Sequence, residues 1–180
     1  MSGIIPLNHK LERRKDDPYN AMEIETVFQV AHVTGGAAAL LLGPIAMWVP
    51  KRIGLHSRAG EAFFVAVTVV CISGGALAVM HWESRWMFFW IAVGTYASAL
   101  LAYVAGKRRW RNWLIPHVAG QGSAYTAMVT AFIVANWDEV TGTQGTEVPL
   151  VFLIPMAVGS AAVGWLIREV YRGRRPKGAL

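Results

Sequence analysis

Five stretches of the chain carry no Asp, Glu, Lys or Arg: 26–50, 62–82, 86–106, 112–137 and 148–167. A hydrocarbon core about 30 Å thick takes roughly 20 helical residues, so each stretch is long enough to cross it once. Their apolar residues run on continuously, without the alternation of a barrel strand, and five spans are odd in number and too few to close a barrel. A helix satisfies its own backbone N–H and C=O groups in lipid, which an unpaired strand cannot do. The pattern predicts an all-α integral membrane protein, a bundle of five transmembrane helices with spans at 27–49, 61–81, 86–106, 115–136 and 148–168. A polar arm, 1–25, precedes the membrane domain of 26–169, and a basic tail, 170–180, follows it.

Charge orients this bundle. Lys51, Arg52 and Arg58 fall between the first two spans, Lys107, Arg108, Arg109 and Arg111 between the third and fourth, and Arg168, Arg172, Arg174, Arg175 and Lys177 after the fifth. The opposite loops offer Arg85 with Glu83, Asp138, Glu139 and Glu147. The positive-inside rule then puts the C-terminus in the cytoplasm and the N-terminus outside, in a cytoplasmic (inner) membrane. Lys10, Arg13, Arg14 and Lys15 run against this assignment, but they lie well before the first span, beside which stand Glu23 and Glu25. The segment Met1 to Leu7 is too short for a signal-peptide core and precedes the basic residues, so the first span is expected to stay in the mature protein.

Composition agrees. Of 180 residues, 54% are hydrophobic and 16% charged, where an ordinary globular domain has about 25% charged. The net charge of +6 sits in short blocks without interleaved aromatic residues, which disfavours nucleic acid as a partner. The lipid bilayer is the expected partner, with a membrane protein or a second copy as further candidates. Trp48, Trp82, Trp86, Trp110, Trp113, Trp137 and Trp165 fall near span ends, where indoles anchor at the interface; Trp90 lies about a turn deeper. Cys71 is the sole cysteine, so no intrachain disulfide or thiolate cluster can form.

Small residues four apart, at Ala31, Gly35 and Ala39, at Gly120 and Ala124, and at Ser160 and Gly164, together with the Gly74–Gly75 pair, suit close helix contacts within the bundle. Pro44 and Pro155 each leave a carbonyl without its helical donor.

The candidate chemistry lies in four histidines. On this topology His32 and His81 belong to the outer half, while His56, in the loop before the second span, and His117, at the start of the fourth, belong to the inner side. Imidazoles from different helices facing each other at matched depth are what a haem needs, so these four are candidate axial ligands of haem b. The outer pair fits poorly, because His32 lies on the order of 7 Å deeper than His81 at 1.5 Å per residue. His56, flanked by Gly54 and Gly60, is also poorly placed for a buried ligand. Histidines that snorkel or cap polar contacts remain the simpler alternative. His117, Gln121 and Tyr125 recur every four residues and draw a polar line inward, which serves helix packing or a cofactor. Glu61, at the predicted start of the second span, suits a helix N-terminus, and with His32, His56 and His117 it forms a candidate set for a divalent metal.

The segments H-V-T-G-G-A-A-A-L-L-L-G-P at 32–44 and H-S-R-A-G-E-A-F at 56–63 resemble an uncharacterised family of small multi-pass bacterial membrane proteins. The segment H-V-A-G-Q-G-S-A-Y-T-A-M-V-T-A-F at 117–132 is similar to a third marked segment in a branch of it. The resemblance covers about residues 27–135 and singles out His32, Gly35, Gly43 and Pro44, then His56 with Gly60, then His117 and Tyr125. At position 61 that family often has a basic residue where this chain has Glu. The resemblance implies a helical membrane domain and supplies no reaction. The sequence thus leads to a polar histidine site in the membrane, for haem- or quinone-linked electron or proton transfer. The rivals are a small-molecule or metal transport module and a non-catalytic accessory subunit.

Overall fold

The structure, a computed structural model, describes residues 18–50 and 54–174. Five long helices account for most of it: α1 (Pro18–Trp48), α2 (Leu55–Met80), α3 (Trp82–Arg108), α4 (Leu114–Ala135) and, after a short α5 (Trp137–Thr141) and a 3-10 turn (Gly145–Glu147), α6 (Pro149–Arg174). All five are long and apolar enough to cross a membrane, and no strand occurs among the described residues. The fold is that of a multi-pass helical membrane protein. Lys10, Arg13, Arg14, Lys15, Lys51, Arg52, Arg175 and Lys177 lie outside the described residues.

The helices overrun the predicted spans. α1 starts at Pro18, a residue suited to the first helical turn because its missing N–H would have no partner there. Residues 18–25 of the predicted arm are therefore helical, and Glu25 becomes a helix residue. α6 likewise continues through Arg174, into the predicted tail. At the other end of α1, Gly54 takes φ 130°, a conformation strained for any other residue, and lets the chain re-enter a helix at once.

That early start of α2 corrects two expectations. His56 is in the first turn of α2 and not in a loop, and Glu61 is well inside the helix and not at its N-terminus. The carboxylate of Glu61 gains little from the helix dipole, which fades within the first turn. It forms an ion pair with Lys107 of α3 instead, with both side chains about half exposed.

α1 packs along α2, α2 along α3, and α3 along α4, while α1 meets α4 only over a short stretch; α6 packs against α4 from outside this four-helix ring. The shared core is made of Ala39, Phe63, Ala66, Val67, Cys71, Ala99, Ala124 and Met128. In lipid there is no hydrophobic drive to bring helices together, so small side chains that allow close approach take its place. Ala99, Ala102, Ala105 and Ala124 are fully buried for this reason. α2 and α4 lie diagonally across the ring and meet through side chains, among them Phe63 and Tyr125 with ring centres 6.4 Å apart.

Candidate functional site

The end of the ring nearest the α1–α2 and α3–α4 connections is built around Pro44 and the last turn of α1. Pro44 has no N–H, so the Leu40 carbonyl four residues earlier loses its helical donor, and Ala46 lies in the last turn of α1, whose carbonyls take donors from outside the helix. The ring nitrogen Nδ1 of His56 donates to Ala46 O at 2.8 Å, and the hydroxyl of Tyr125 donates to Leu40 O at 3.2 Å. Two site residues therefore satisfy backbone groups that α1 cannot satisfy itself.

On the opposite side, His117 Nδ1 donates to Ala102 O of α3 at 2.9 Å. A Cβ on Gly106 would lie 3.0 Å from that nitrogen, so glycine makes room for the ring. The His56 and His117 rings, on diagonal helices, lie edge to face with centres 6.3 Å apart and planes at 77°. A carbonyl only accepts, so each Nδ1 carries a proton, and Nε2 is the nitrogen through which either ring would coordinate a metal. One turn along α4, Gln121 holds a buried Oε1 without a hydrogen-bond partner. Next to His56, one turn on at Gly60, an added Cβ would meet nothing within 4 Å.

The other candidates lie elsewhere. His32 Nδ1 is 3.1 Å from Val70 O and 3.4 Å from Ser73 Oγ, and its ring rests on Gly74, where a Cβ would come within 2.8 Å. Fourteen helical residues separate His32 from Ala46, which puts it about 20 Å from the His56 contact. His81, between α2 and α3, bonds through Nε2 to Glu25 Oε1 at 2.9 Å. It lies about 15 Å beyond the Val70 level that holds His32, so these two histidines do not converge. Among the described residues no group of three or more His, Cys, Asp or Glu is placed to hold a metal ion. Of His32, His56, His117 and Glu61, the structure brings together only His56 and His117.

Glu25 was not among the residues singled out from sequence. It looked like a charge bordering the first span, and only the early start of α1 turns it into a partner for His81.

No family model matches the chain, and neither a curated protein nor a solved structure matches it. The functional reading therefore rests on the geometry of the site.

Proposed function

We propose that the chain is a small membrane protein that binds haem b between His56 and His117 and passes electrons at the cytoplasmic side of the inner membrane. The observation that carries this reading is the pair of adjacent imidazoles on diagonal helices, each with Nδ1 tied to a separate backbone carbonyl. Metal-ligating histidines characteristically donate their second ring nitrogen in this way, which fixes the tautomer and the ring orientation. Sites in helical bundles are built from side chains on facing helices.

Spacing supports the same reading. A metal held between two opposed imidazoles at about 2 Å per nitrogen, with each ring centre about 1 Å behind its nitrogen, separates the centres by about 6 Å. The observed 6.3 Å agrees, although edge-to-face ring packing covers the same range, so the anchored nitrogens weigh more. Two protein ligands suffice for haem iron, whose other in-plane ligands come from the porphyrin. A bare zinc ion takes three or four protein ligands. Haem therefore accounts for a two-histidine site better than a free divalent ion does.

The orientation follows from the charge bias. With the C-terminus and the α3–α4 connection cytoplasmic, the pair lies near Arg58, Lys107, Arg108 and Arg109 at the inner border. Such a basic rim suits haem propionates and an acidic redox partner.

The deciding experiment is a reduced-minus-oxidised spectrum of the full chain purified from a haem-replete host, with metal analysis of the same sample. A Soret and α band are expected, lost in His56→Ala and in His117→Ala and kept in His81→Ala. A colourless protein carrying zinc, or a haem signal indifferent to both substitutions, would sink the proposal. Orientation is checked separately by labelling single cysteines at Thr143 and Arg111 in a Cys71→Ser background. Membrane-impermeant reagent is expected to reach position 143 from outside and position 111 only after lysis.

A further inference from the structure

The connection from α3 to α4 gathers cations that the chain does not neutralise. The apolar run of α3 stops at Gly106, and Lys107, Arg108, Arg109 and Arg111 follow at once. Arg58 stands one turn before Glu61 on α2, toward the same end of the bundle. Glu61 and Glu169 are the carboxylates at this end among the described residues, and each is already paired, with Lys107 and Arg172. Arg58, Arg108, Arg109 and Arg111 are all exposed and have no ion-pair partner among the described residues. Of these four, Arg109 is held in place. Its backbone is left-handed (φ 46°), its Nε donates to Gly106 O at 3.4 Å, and its guanidinium lies over the Trp113 ring, 5.5 Å from the ring centre. Its two terminal nitrogens have no partner among the described residues, and they form an edge of the planar fork that matches a phosphate.

We propose that this turn binds the head group of an anionic phospholipid, with the terminal nitrogens of Arg109 on the phosphate oxygens and the charges of Arg108 and Arg111 beside them. Depth selects a lipid over a soluble anion. Trp110 is exposed and Trp113 half-buried where apolar helix gives way to charge, the level at which indoles sit among head groups. Lipid phosphates already lie at that level and need no recruitment from solution. Charge selects an anionic lipid over a zwitterionic one, because a choline ammonium would stand among cations with no carboxylate free to receive it. Preorganisation selects Arg109. An exposed arginine ordinarily loses side-chain freedom on binding, and the stack on Trp113 with the bond to Gly106 removes part of that loss beforehand. The site uses no nitrogen of His56 or His117, so it stands whether or not those residues bind haem.

The test is native mass spectrometry of the full chain in detergent, titrated with phosphatidylglycerol or with phosphatidylcholine. Phosphatidylglycerol is expected to bind in preference, and an excess of inorganic phosphate to leave that binding unchanged. Arg109→Asn, which suits the left-handed backbone, is expected to weaken phosphatidylglycerol binding about fivefold, the scale of one basic residue at an anionic surface, and to leave phosphatidylcholine binding alone. Arg109→Lys keeps the charge but not the fork, and is expected to lose most of the same preference. Arg85→Gln removes an exposed charge at the opposite end of α3 and is expected to change nothing. Equal binding of the two lipids, displacement by inorganic phosphate, a full preference in Arg109→Asn or Arg109→Lys, or an equal loss in Arg85→Gln would overturn the proposal.

Discussion

The hydroxyl of Tyr125 donates to the carbonyl of Leu40 at 3.2 Å, the carbonyl that Pro44 leaves without its helical donor. The ring of Tyr125 also lies against Gly43, where an added Cβ would come within 2.5 Å of it. A proline, a glycine and a tyrosine on two helices thus form one device, and it holds α4 to α1 where those helices otherwise touch little. Buried hydrogen bonds between membrane helices contribute about 0.6 kcal/mol on average. Tyr125→Phe is expected to cost about that much. In a Pro44→Ala background the residue-44 N–H bonds Leu40 again, so the same substitution is expected to cost less. Thermal unfolding of the four proteins in detergent measures the coupling, and strictly additive losses would refute it.

His32 and Gly74 form a second interlock. A methyl at position 74 would overlap the imidazole, which is held by Val70 O and Ser73. Overpacking a filled contact costs about 1–3 kcal/mol, so Gly74→Ala is expected to destabilise the protein by that order. His32→Ala in the same chain should recover most of the loss, since it removes the group the methyl strikes. If His32→Ala adds its own full penalty to that of Gly74→Ala, the two residues are not in contact in the way described.

Gln121 is expected to act in the opposite sense. Its buried Oε1 has no partner, and an unsatisfied buried acceptor costs about 1–3 kcal/mol. Gln121→Met keeps the length of the side chain and removes the acceptor, so the ligand-free protein should become more stable. Haem occupancy, read from the Soret band, should fall in the same variant if the carboxamide serves the ligand. A stability loss without ligand would show that Gln121 has a packing role that its orphan oxygen conceals.

The membrane spans were legible because each is a charge-free run longer than a bilayer is thick, a signal set by length and composition alone. His56 and His117 were legible as sharing one side of the membrane, but His56 was placed in a loop and not on a helix. Placing His56 in a loop followed from counting charge-free residues, which starts the helix only at Glu61. Gly54, with its left-handed backbone, lets α2 begin at Leu55, six residues before that glutamate. The same early start moved Glu61 from a capping position to a partner of Lys107 on another helix, a pairing that no local spacing encodes. Residue count already left His32 and His81 unmatched in depth, but not that His32 bonds to Val70 and Ser73 and His81 to Glu25. Such cross-helix choices depend on rotation and tilt, to which a charge pattern is blind.

α6 attaches through a different kind of contact. A Cβ on Gly122 would overlap Val163, and one on Gly159 would overlap Thr126, so each helix uses a glycine to receive a β-branched side chain of the other. Gly164, which looked equivalent in sequence, faces open space. With most of α6 exposed, these two interlocks are the main resistance to its departure from α4. Gly159→Val and Gly122→Val are therefore expected to release α6 while the four-helix ring stays folded, and Gly164→Val to leave it docked. The readout is the spin–spin distance between labels on cysteines introduced at exposed Phe132 of α4 and exposed Leu153 of α6 in a Cys71→Ser background, with each glycine substitution added in turn. Wild-type glycines should give one narrow distance, the Gly159 and Gly122 variants should lose it to a broad spread, and the Gly164 variant should keep the parent's. Equal loss in all three would mean that helix propensity, and not the interlock, controls docking, since valine in place of glycine alters propensity equally at each site.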